Sequence, residues 1–271
     1  MYLTRHAHTQ AGRWALDGLY LTEEFSLAAL LALPAAKMNA YLREVATGEP
    51  ATAPLLAPIE PMHEVWAAGV TYLKSREARL VESGTKDIYD RVYDAERVEL
   101  FFKAIGWRVV GHNAPVRIRG DSHWNVPEPE LSLVVNRDNE IVGYCAGNDM
   151  SSRDIEGSNP LYLPQAKIYT GSCALGAGIV LARASDLADL PICMEIKRNE
   201  HIIYAGKTRI SHMKRPLATL PDWLGRELDF PQGVFLMTGT GIVPPDAFTL
   251  MPGDTVHISV ASLVLQNPIA A

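Results

Sequence analysis

The stretch Val126-Pro-Glu-Pro-Glu-Leu-Ser-Leu-Val-Val135 is followed by Asn136-Arg-Asp-Asn-Glu140 and then by Ile141-Val-Gly-Tyr-Cys-Ala-Gly-Asn-Asp-Met150. Its two apolar runs are rich in β-branched residues, and the polar residues between them tolerate the positive φ of a tight turn. This pattern predicts a β-hairpin. With a two-residue loop at Asp138-Asn139, Arg137 pairs with Glu140, and Glu128 lies opposite Asp149.

Three carboxylates converge on one face of this hairpin. Side chains alternate along a strand, so Glu130 projects on the same face as Glu128 and its partner Asp149. Pro127 and Pro129 remove ladder donors, which predicts that this end of the strand lies at a sheet edge or rim. One interpretation is a solvated strand face. The other is a site for a hard cation, Mg²⁺, Mn²⁺ or Ca²⁺, because such ions prefer carboxylate oxygens.

The composition narrows the class of partner. The chain of 271 residues is 48% hydrophobic, and its net charge of −6 argues against nucleic acid or an anionic membrane as a partner. Its three cysteines form no Cys-x-x-Cys pair, which argues against a disulfide framework or a thiolate zinc site. The N-terminus lacks the apolar core of a signal peptide, so we expect a cytoplasmic protein that acts on a small molecule.

The sequence predicts two domains. Residues 1–61 are expected to form a small N-terminal α/β domain plus a proline-rich linker, and residues 62–271 the catalytic domain. The first part combines strand patterns between Tyr2 and Leu21 with two helical segments, and prolines at positions 50, 54, 58 and 61 mark the linker. The run from Val65 to Val70 predicts the first strand of the larger domain.

Three basic side chains are candidates for roles near the three anions. Lys167 ends an ordered loop, and it is either the positive charge that an acidic substrate requires or part of a structural ion pair. Arg153, four residues after Asp149, is expected to brace the metal ligands. Lys103 lies beside two phenylalanines and either extends along the surface or faces a site. The charged stretch 74–99 predicts surface helices or a lid over the site.

A glycine-rich turn follows a buried strand in Val234-Phe-Leu-Met-Thr-Gly-Thr-Gly-Ile-Val-Pro-Pro245, where Thr240 is expected to offer its hydroxyl and N–H to a substrate carboxylate. Phosphate-binding glycine motifs are absent from the sequence, so nucleotide binding is unsupported. In chain order, the Glu-x-Glu pair, Asn148-Asp-Met-Ser-Ser-Arg-Asp154, Lys167 and the Thr-Gly-Thr turn resemble the fumarylacetoacetate hydrolase superfamily over about residues 64–260.

The resemblance implies an α+β, mostly β fold: a mixed, rolled β-sheet catalytic domain with a small N-terminal α/β domain, assembled as a homodimer or a dimer-based oligomer. It also implies that Glu128, Glu130 and Asp149 bind Mg²⁺ or a similar ion. By the same resemblance, Lys167 acts at the substrate and Thr240 helps to hold it.

One motif departs from the family pattern. Hydrolases of this superfamily carry a lid motif Asn-Tyr-x-x-His-x-x-Glu, in which the histidine activates water. This chain has Thr71-Tyr-Leu-Lys-Ser-Arg-Glu77, with Ser75 in the histidine's place. A serine without a nearby base is a poor general base, which argues against C–C hydrolysis. The segments 124–130, 159–167 and 238–245 are most similar to the sugar-acid branch, the 2-keto-3-deoxypentonate dehydratases.

The predicted function is therefore metal-dependent dehydration of a 2-keto-3-deoxypentonate to 2,5-dioxopentanoate. A 2-oxo acid chelates the cation through its carboxylate and keto oxygens, and the ion stabilises the enolate that forms when a C3 proton leaves. Lys167 is expected to be the C3 base or the group that holds the enolate. The other catalytic candidates are Ser75 and Glu77, and the substrate-binding candidates are Thr240, Lys103 and Tyr72.

Two alternatives remain open from the sequence. The same scaffold is suited to isomerisation or decarboxylation of 2-hydroxyhepta-2,4-diene-1,7-dioate, or to acylpyruvate hydrolysis, because these reactions pass through a related enolate. The alternative from another class is a noncatalytic 2-oxo-acid binding protein that keeps the carboxylate site.

Overall fold

A computed structural model describes residues 1–8, 11–74 and 91–270. Its strands are β1 Tyr2–His6, β2 Arg13–Leu16, β3 Leu19–Leu21, β4 Ala46–Pro50, β5 Leu55–Leu56, β6 Glu64–Gly69, β7 Glu99–Ile105, β8 Asn125–Val135, β9 Ile141–Ser152, β10 Cys173–Leu175, β11 Ile179–Leu181, β12 Pro191–Arg198, β13 His201–Arg209, β14 Val234–Met237, β15 Thr255–Val260 and β16 Leu263–Pro268. Its α-helices include α1 Leu27–Leu31, α2 Ala35–Glu44, α3 Arg153–Ser158, α4 Leu163–Lys167 and α5 Thr219–Leu224. None of the described helices is long and apolar enough to span a membrane.

The described strands form two sheets. The larger has 12 strands in the order β4-β3-β2-β1-β11-β9-β8-β14-β6-β7, with β10 paired to β9 and β5 paired to β1. It is a mixed sheet, because β14 runs parallel to β6 and antiparallel to β8. The smaller sheet has 4 strands in the order β13-β12-β15-β16. The predicted mostly β, mixed-sheet fold is confirmed.

Strand β8 is buried along its whole length because both of its faces are covered. Leu131 and Leu133 pack into a core between the two sheets, where they join side chains of the smaller sheet such as Ile258. Val134 projects the other way, into a second core that includes Leu30 of α1 and Met38 of α2. The carboxylates at positions 128 and 130 project on the same side of the strand as Val134, so the alternation predicted from sequence positions them correctly.

The predicted hairpin is confirmed, but its turn differs from the expected two-residue loop. Arg137 does not pair with Glu140; instead Asn136 N–H donates to the Glu140 carbonyl at 3.0 Å, and the turn spans residues 136–140. The Asn136 side chain organises this turn by accepting from the N–H groups of Asp138 and Glu140 at 3.1 and 2.8 Å. A bulge beside Val135 absorbs the extra residue, so the register farther along the hairpin is the one predicted.

The N-terminal strands are continuous with the large sheet. β1 pairs with β11, which in turn pairs with β9. The proline-rich segment expected to be a linker contributes the short strands β4 and β5. Its Glu60 carboxylate accepts hydrogen bonds from Leu27 N–H, Ala28 N–H and Trp14 Nε1 at 2.5 to 3.0 Å, which fixes the start of α1. The division at residue 61 and the homodimer stay predictions.

Candidate metal and substrate site

Three carboxylates from neighbouring strands meet at one place on the large sheet. Glu128 on β8 lies directly opposite Asp149 on β9, as predicted, and Glu130 lies one pleat further along. One oxygen from each carboxylate lies within 4.8 Å of the others, and all three residues are buried. Within the described ranges, this is the one group of three or more His, Cys, Asp or Glu side chains with such spacing. The predicted convergence is confirmed.

The cluster lies at a rim of the sheet, as the two prolines predicted. β14 pairs with residues 132–135 of β8 and not with the Pro127 end. After β14 the chain turns across the carboxylates, where the Gly239 N–H donates to Glu130 Oε2 at 2.6 Å. Gly239 has φ +86, and a Cβ there would lie 2.1 Å from Thr71 Oγ1, so only glycine fits this close crossing.

The negative charge of Glu130 is disfavoured by its surroundings. Burial raises the pKa of its carboxyl well above the ordinary value, and the neighbouring Asp149 and Glu128 raise the pKa further. The Gly239 N–H acts in the opposite direction, because a donor stabilises the anion. A carboxylate in these surroundings gains strongly from a nearby cation.

Lys167, at the end of α4, reaches into the cluster. Its Nζ lies 2.5 Å from Glu128 Oε2 and 3.1 Å from Asp149 Oδ2, and it donates to Ser151 Oγ at 2.6 Å. The Phe101 ring lies 5.9 Å from the ammonium and closes one side. The structure thus places Lys167 beside the carboxylates, in agreement with the position expected for it.

Lys103 lies elsewhere than expected for a substrate-binding residue. Its side chain is fully buried and forms an ion pair with Asp149. Nζ also donates to the backbone carbonyls of Met150 at 3.0 Å and Lys167 at 2.5 Å. Two carbonyls and one carboxylate of the protein thus surround the Lys103 ammonium. The role of Lys103 as a direct substrate ligand stays a prediction, and these contacts favour an indirect one.

Arg153 is buried at the start of α3 and contacts the cluster from another side. Its Nη2 lies 3.5 Å from Glu128 Oε1, which is the bracing contact that its position in the sequence suggested. The side chain also lines the cavity described below. Arg153 therefore contacts a carboxylate of the cluster and also faces the cavity beside it.

A small cavity of about 20 Å³ opens beside the carboxylates. That volume is enough for one water-sized species. The lining includes the three carboxylates together with Ala68, Gly69, Val70, Phe101, Arg153, Lys167, Gly239 and Thr240. The Thr240 hydroxyl donates within its own turn, to the Ile242 carbonyl at 3.2 Å. Tyr72 is buried near Glu130, and burial raises the pKa of its phenol.

The residues fit a divalent cation. Two ligands of one ion lie no farther apart than twice the metal–oxygen distance, about 4 Å for Mg²⁺ and about 5 Å for Ca²⁺. The carboxylate oxygens lie within 4.8 Å of one another, which meets the limit for Ca²⁺, and for Mg²⁺ the side chains would close on the ion by less than about 1 Å. The donor set is all oxygen, which suits hard ions. When bound, the ion would be held by Glu128, Glu130 and Asp149.

Two of the predicted residues, Ser75 and Glu77, lie outside the described residues, and their roles stay predictions. Two contacts of the site were not anticipated. Ser151 could have been identified from the sequence, because it lies two residues after Asp149 on the same strand and so shares its face. The backbone N–H of Gly239 carried no signal beyond the glycine itself, since a main-chain donor is present at every residue except proline.

Comparison with known proteins agrees with the family resemblance of the sequence motifs. The sequence model of the family described as "Fumarylacetoacetate (FAA) hydrolase C-terminal" matches residues 64–270. A probable 2-keto-3-deoxyxylonate dehydratase of Haloferax volcanii is 46% identical over 201 residues, which cover 74% of this chain and 69% of that protein. A 2-dehydro-3-deoxy-D-arabinonate dehydratase of Saccharolobus solfataricus is 40% identical over 211 residues, covering 76% of this chain and 70% of that protein.

A solved structure extends the similarity to the whole fold. It is a 2-keto-3-deoxy-D-arabinonate dehydratase complexed with magnesium and 2,5-dioxopentanoate, and it superposes with a TM-score of 0.84 at 31% sequence identity. The alignment covers 100% of this chain and 99% of that one.

Proposed function

Because the chain belongs to the fumarylacetoacetate hydrolase family, we propose that it is a Mg²⁺-dependent dehydratase that converts a 2-keto-3-deoxypentonate to 2,5-dioxopentanoate. The observation that carries the proposal is the buried carboxylate cluster with Lys167 beside it, in a chain 46% and 40% identical to two proteins named as such dehydratases. A related dehydratase complexed with magnesium and 2,5-dioxopentanoate supports the same ion and the same product.

The charge balance of the site supports an anionic substrate. Three cationic side chains, those of Lys103, Lys167 and Arg153, contact the cluster through the carboxylates of Glu128 and Asp149 and balance its three negative charges. A divalent cation added to this set leaves a surplus of positive charge around the cavity. A 2-oxo acid brings one negative charge on its carboxylate and develops a second on its 2-oxo group during the reaction, so it neutralises that surplus.

The reaction removes one water. The C3 proton and the 4-hydroxyl leave, and tautomerisation of the resulting 3,4-alkene with its 5-hydroxyl gives the 5-aldehyde. When bound, the ion supplies Lewis-acid stabilisation of the negative charge on the 2-oxo group. We assign Lys167 to holding that negative charge, because an ammonium between the Glu128 and Asp149 carboxylates favours its charged form and is a poor base.

An assay with a substrate panel tests the proposal. Purified protein with Mg²⁺ is given 2-keto-3-deoxypentonates of both configurations at C4, an acylpyruvate and 2-hydroxyhepta-2,4-diene-1,7-dioate, and the aldehyde proton of 2,5-dioxopentanoate is followed by NMR. We expect the aldehyde from one or both pentonates and none after treatment with a chelator. Turnover of the acylpyruvate or the dienedioate without turnover of either pentonate would overturn the assignment.

A further inference from the structure

We infer that Ser151 is a positioning residue for Lys167, a role that rests on the dehydratase function proposed above. Ser151 is fully buried near the end of β9 and lies on the same strand face as Asp149. Its Oγ accepts a hydrogen bond from Lys167 Nζ at 2.6 Å and donates to the Asp149 carbonyl at 3.1 Å. The hydroxyl is thus fixed by its own strand and directed at the lysine.

Ser151 differs in kind from the other two partners of the lysine described above. Those are the carboxylates of Glu128 and Asp149, and both are proposed metal ligands. A cation held by these carboxylates competes with the ammonium for their oxygens and weakens their attraction for it. The Ser151 hydroxyl is neutral and lies outside the carboxylate cluster, so its hold on Nζ persists when the ion is present.

The backbone at both ends of this contact is well ordered by pairing. Ser151 pairs with Val126 across the β8–β9 ladder. The carbonyl of Lys167 accepts hydrogen bonds from Lys103 Nζ at 2.5 Å and from Ser172 Oγ at 2.9 Å. The long lysine side chain has many rotamers, and the Ser151 contact helps to select the one that reaches the cluster. Loss of the hydroxyl therefore leaves the Lys167 backbone in place but makes the position of its ammonium less well defined.

The next residue offers a matched control. Ser152 is also fully buried, and its Oγ donates to Asn125 Oδ1 at 2.8 Å, on the opposite face of the strand from Ser151. Ser152→Ala removes a buried hydroxyl hydrogen bond of the same kind, one residue away, without touching Lys167. A purely structural role for Ser151 predicts that both alanine variants behave alike.

The experiment compares Ser151→Ala, Ser151→Thr and Ser152→Ala with the unaltered protein. The readouts are kcat and KM for the pentonate, urea unfolding, Mn²⁺ affinity measured by EPR, and the Mg²⁺-dependent exchange of the pyruvate methyl protons in D₂O. We expect Ser151→Ala to lower kcat and the exchange rate about 10- to 100-fold while KM and Mn²⁺ affinity change by less than about threefold. Ser151→Thr restores most of the rate because it keeps the hydroxyl. Ser152→Ala loses stability but keeps kcat.

The inference is overturned if Ser151→Ala keeps kcat and exchange within about twofold, if both alanine variants lose activity equally, or if Mn²⁺ affinity falls in parallel with kcat. Should Ser151→Ala fail to fold, Ser151→Cys has a similar size and a weaker acceptor and is judged by the same criteria. Failure of the proposed function has a different signature, namely pyruvate exchange by the unaltered protein without dehydration of any pentonate. In that case the exchange rates of the variants decide the role of Ser151.

Discussion

Lys103 and Asp149 form a buried ion pair in which the side chains are 0% and 1% exposed, and Lys103 does not line the cavity on which Asp149 opens. The same ammonium donates to the carbonyls of Met150 and Lys167. One side chain of β7 therefore holds a proposed metal ligand and the backbone that presents the proposed catalytic lysine. Burial of a lysine is costly, and this set of partners offsets the cost.

Replacing Lys103 by Met should destabilise the protein. We expect the free energy of unfolding to fall by about 2–3 kcal/mol, because the substitution removes one of the two ammonium groups that pair with Asp149 and leaves only Lys167. Urea unfolding of the metal-free protein measures the change. Lys207→Met on the exposed edge strand β13 is the control, with an expected change within about 0.5 kcal/mol. Equal midpoints for the two variants would contradict the structural role of Lys103.

Replacing Glu130 by Gln should have opposite effects on stability and on metal binding. The metal-free protein is expected to become more stable, because a neutral amide removes a buried carboxyl group whose charged form is disfavoured by burial and by the neighbouring Asp149 and Glu128. The Mn²⁺ affinity is expected to fall at least about 100-fold, since an amide oxygen is a weaker ligand than a carboxylate. Urea unfolding and calorimetric titration measure the two effects, with the exposed Glu195→Gln as control. A loss of stability together with full Mn²⁺ affinity would refute the assignment of Glu130 as a metal ligand whose charge is disfavoured in the metal-free protein.

Replacing Lys167 by Met should abolish most of the turnover and spare metal binding. We expect kcat to fall about 10²- to 10⁴-fold, because the substitution removes a positive charge placed where negative charge develops. The Mn²⁺ affinity should stay equal or rise, since a cation is removed from beside Glu128 and Asp149. Steady-state kinetics and EPR titration check both effects. Unchanged turnover would remove Lys167 from the proposed chemistry.

Replacing Gly239 by Ala should cost more than the same change at Gly253. Both glycines have positive φ, +86 and +88, so an alanine is strained by about 1 kcal/mol at either position. At Gly239 the new Cβ would also meet Thr71 Oγ1 at 2.1 Å, whereas at Gly253 nothing lies within 4 Å. We expect a further loss of about 2 kcal/mol or more for Gly239→Ala, as in an overpacked core, and a weaker Mn²⁺ affinity because the N–H donor to Glu130 is displaced. Unfolding curves that coincide for the two variants would show that the close approach of residue 239 to Thr71 does not add to the loss of stability.

Alternation along strands made the carboxylate cluster predictable. Once a hairpin was inferred between residues 126 and 150, the period of two placed Glu128, Glu130 and Asp149 on one face without any knowledge of distant contacts. The turn itself was not predictable at that level. The Asn136 side-chain oxygen accepts from two backbone N–H groups there in place of a backbone carbonyl, and a bulge restores the register, so the correct pairing followed from an incorrect loop.

Contacts made through the backbone or across distant segments were beyond reach from the sequence. Lys103 was expected either at the surface or facing the site, and its partners are carbonyls of residues 47 and 64 positions further along the chain. The Gly239 contact spans 109 positions. Neither depends on a residue pattern, because tertiary packing selects which carbonyl or N–H comes within reach.

The continuity of the large sheet has a practical consequence for anyone shortening the chain. β11 pairs with β1 along one side and with β9, which carries Asp149, along the other. A fragment that starts at residue 62 would leave the β1 side of β11 bare, together with apolar side chains such as Ile179 and Phe235 that pack in the core shared with α1 and α2. Open strand edges of this kind recruit strands from other molecules. Trimming to the family-matched region should therefore yield aggregates instead of a minimal enzyme.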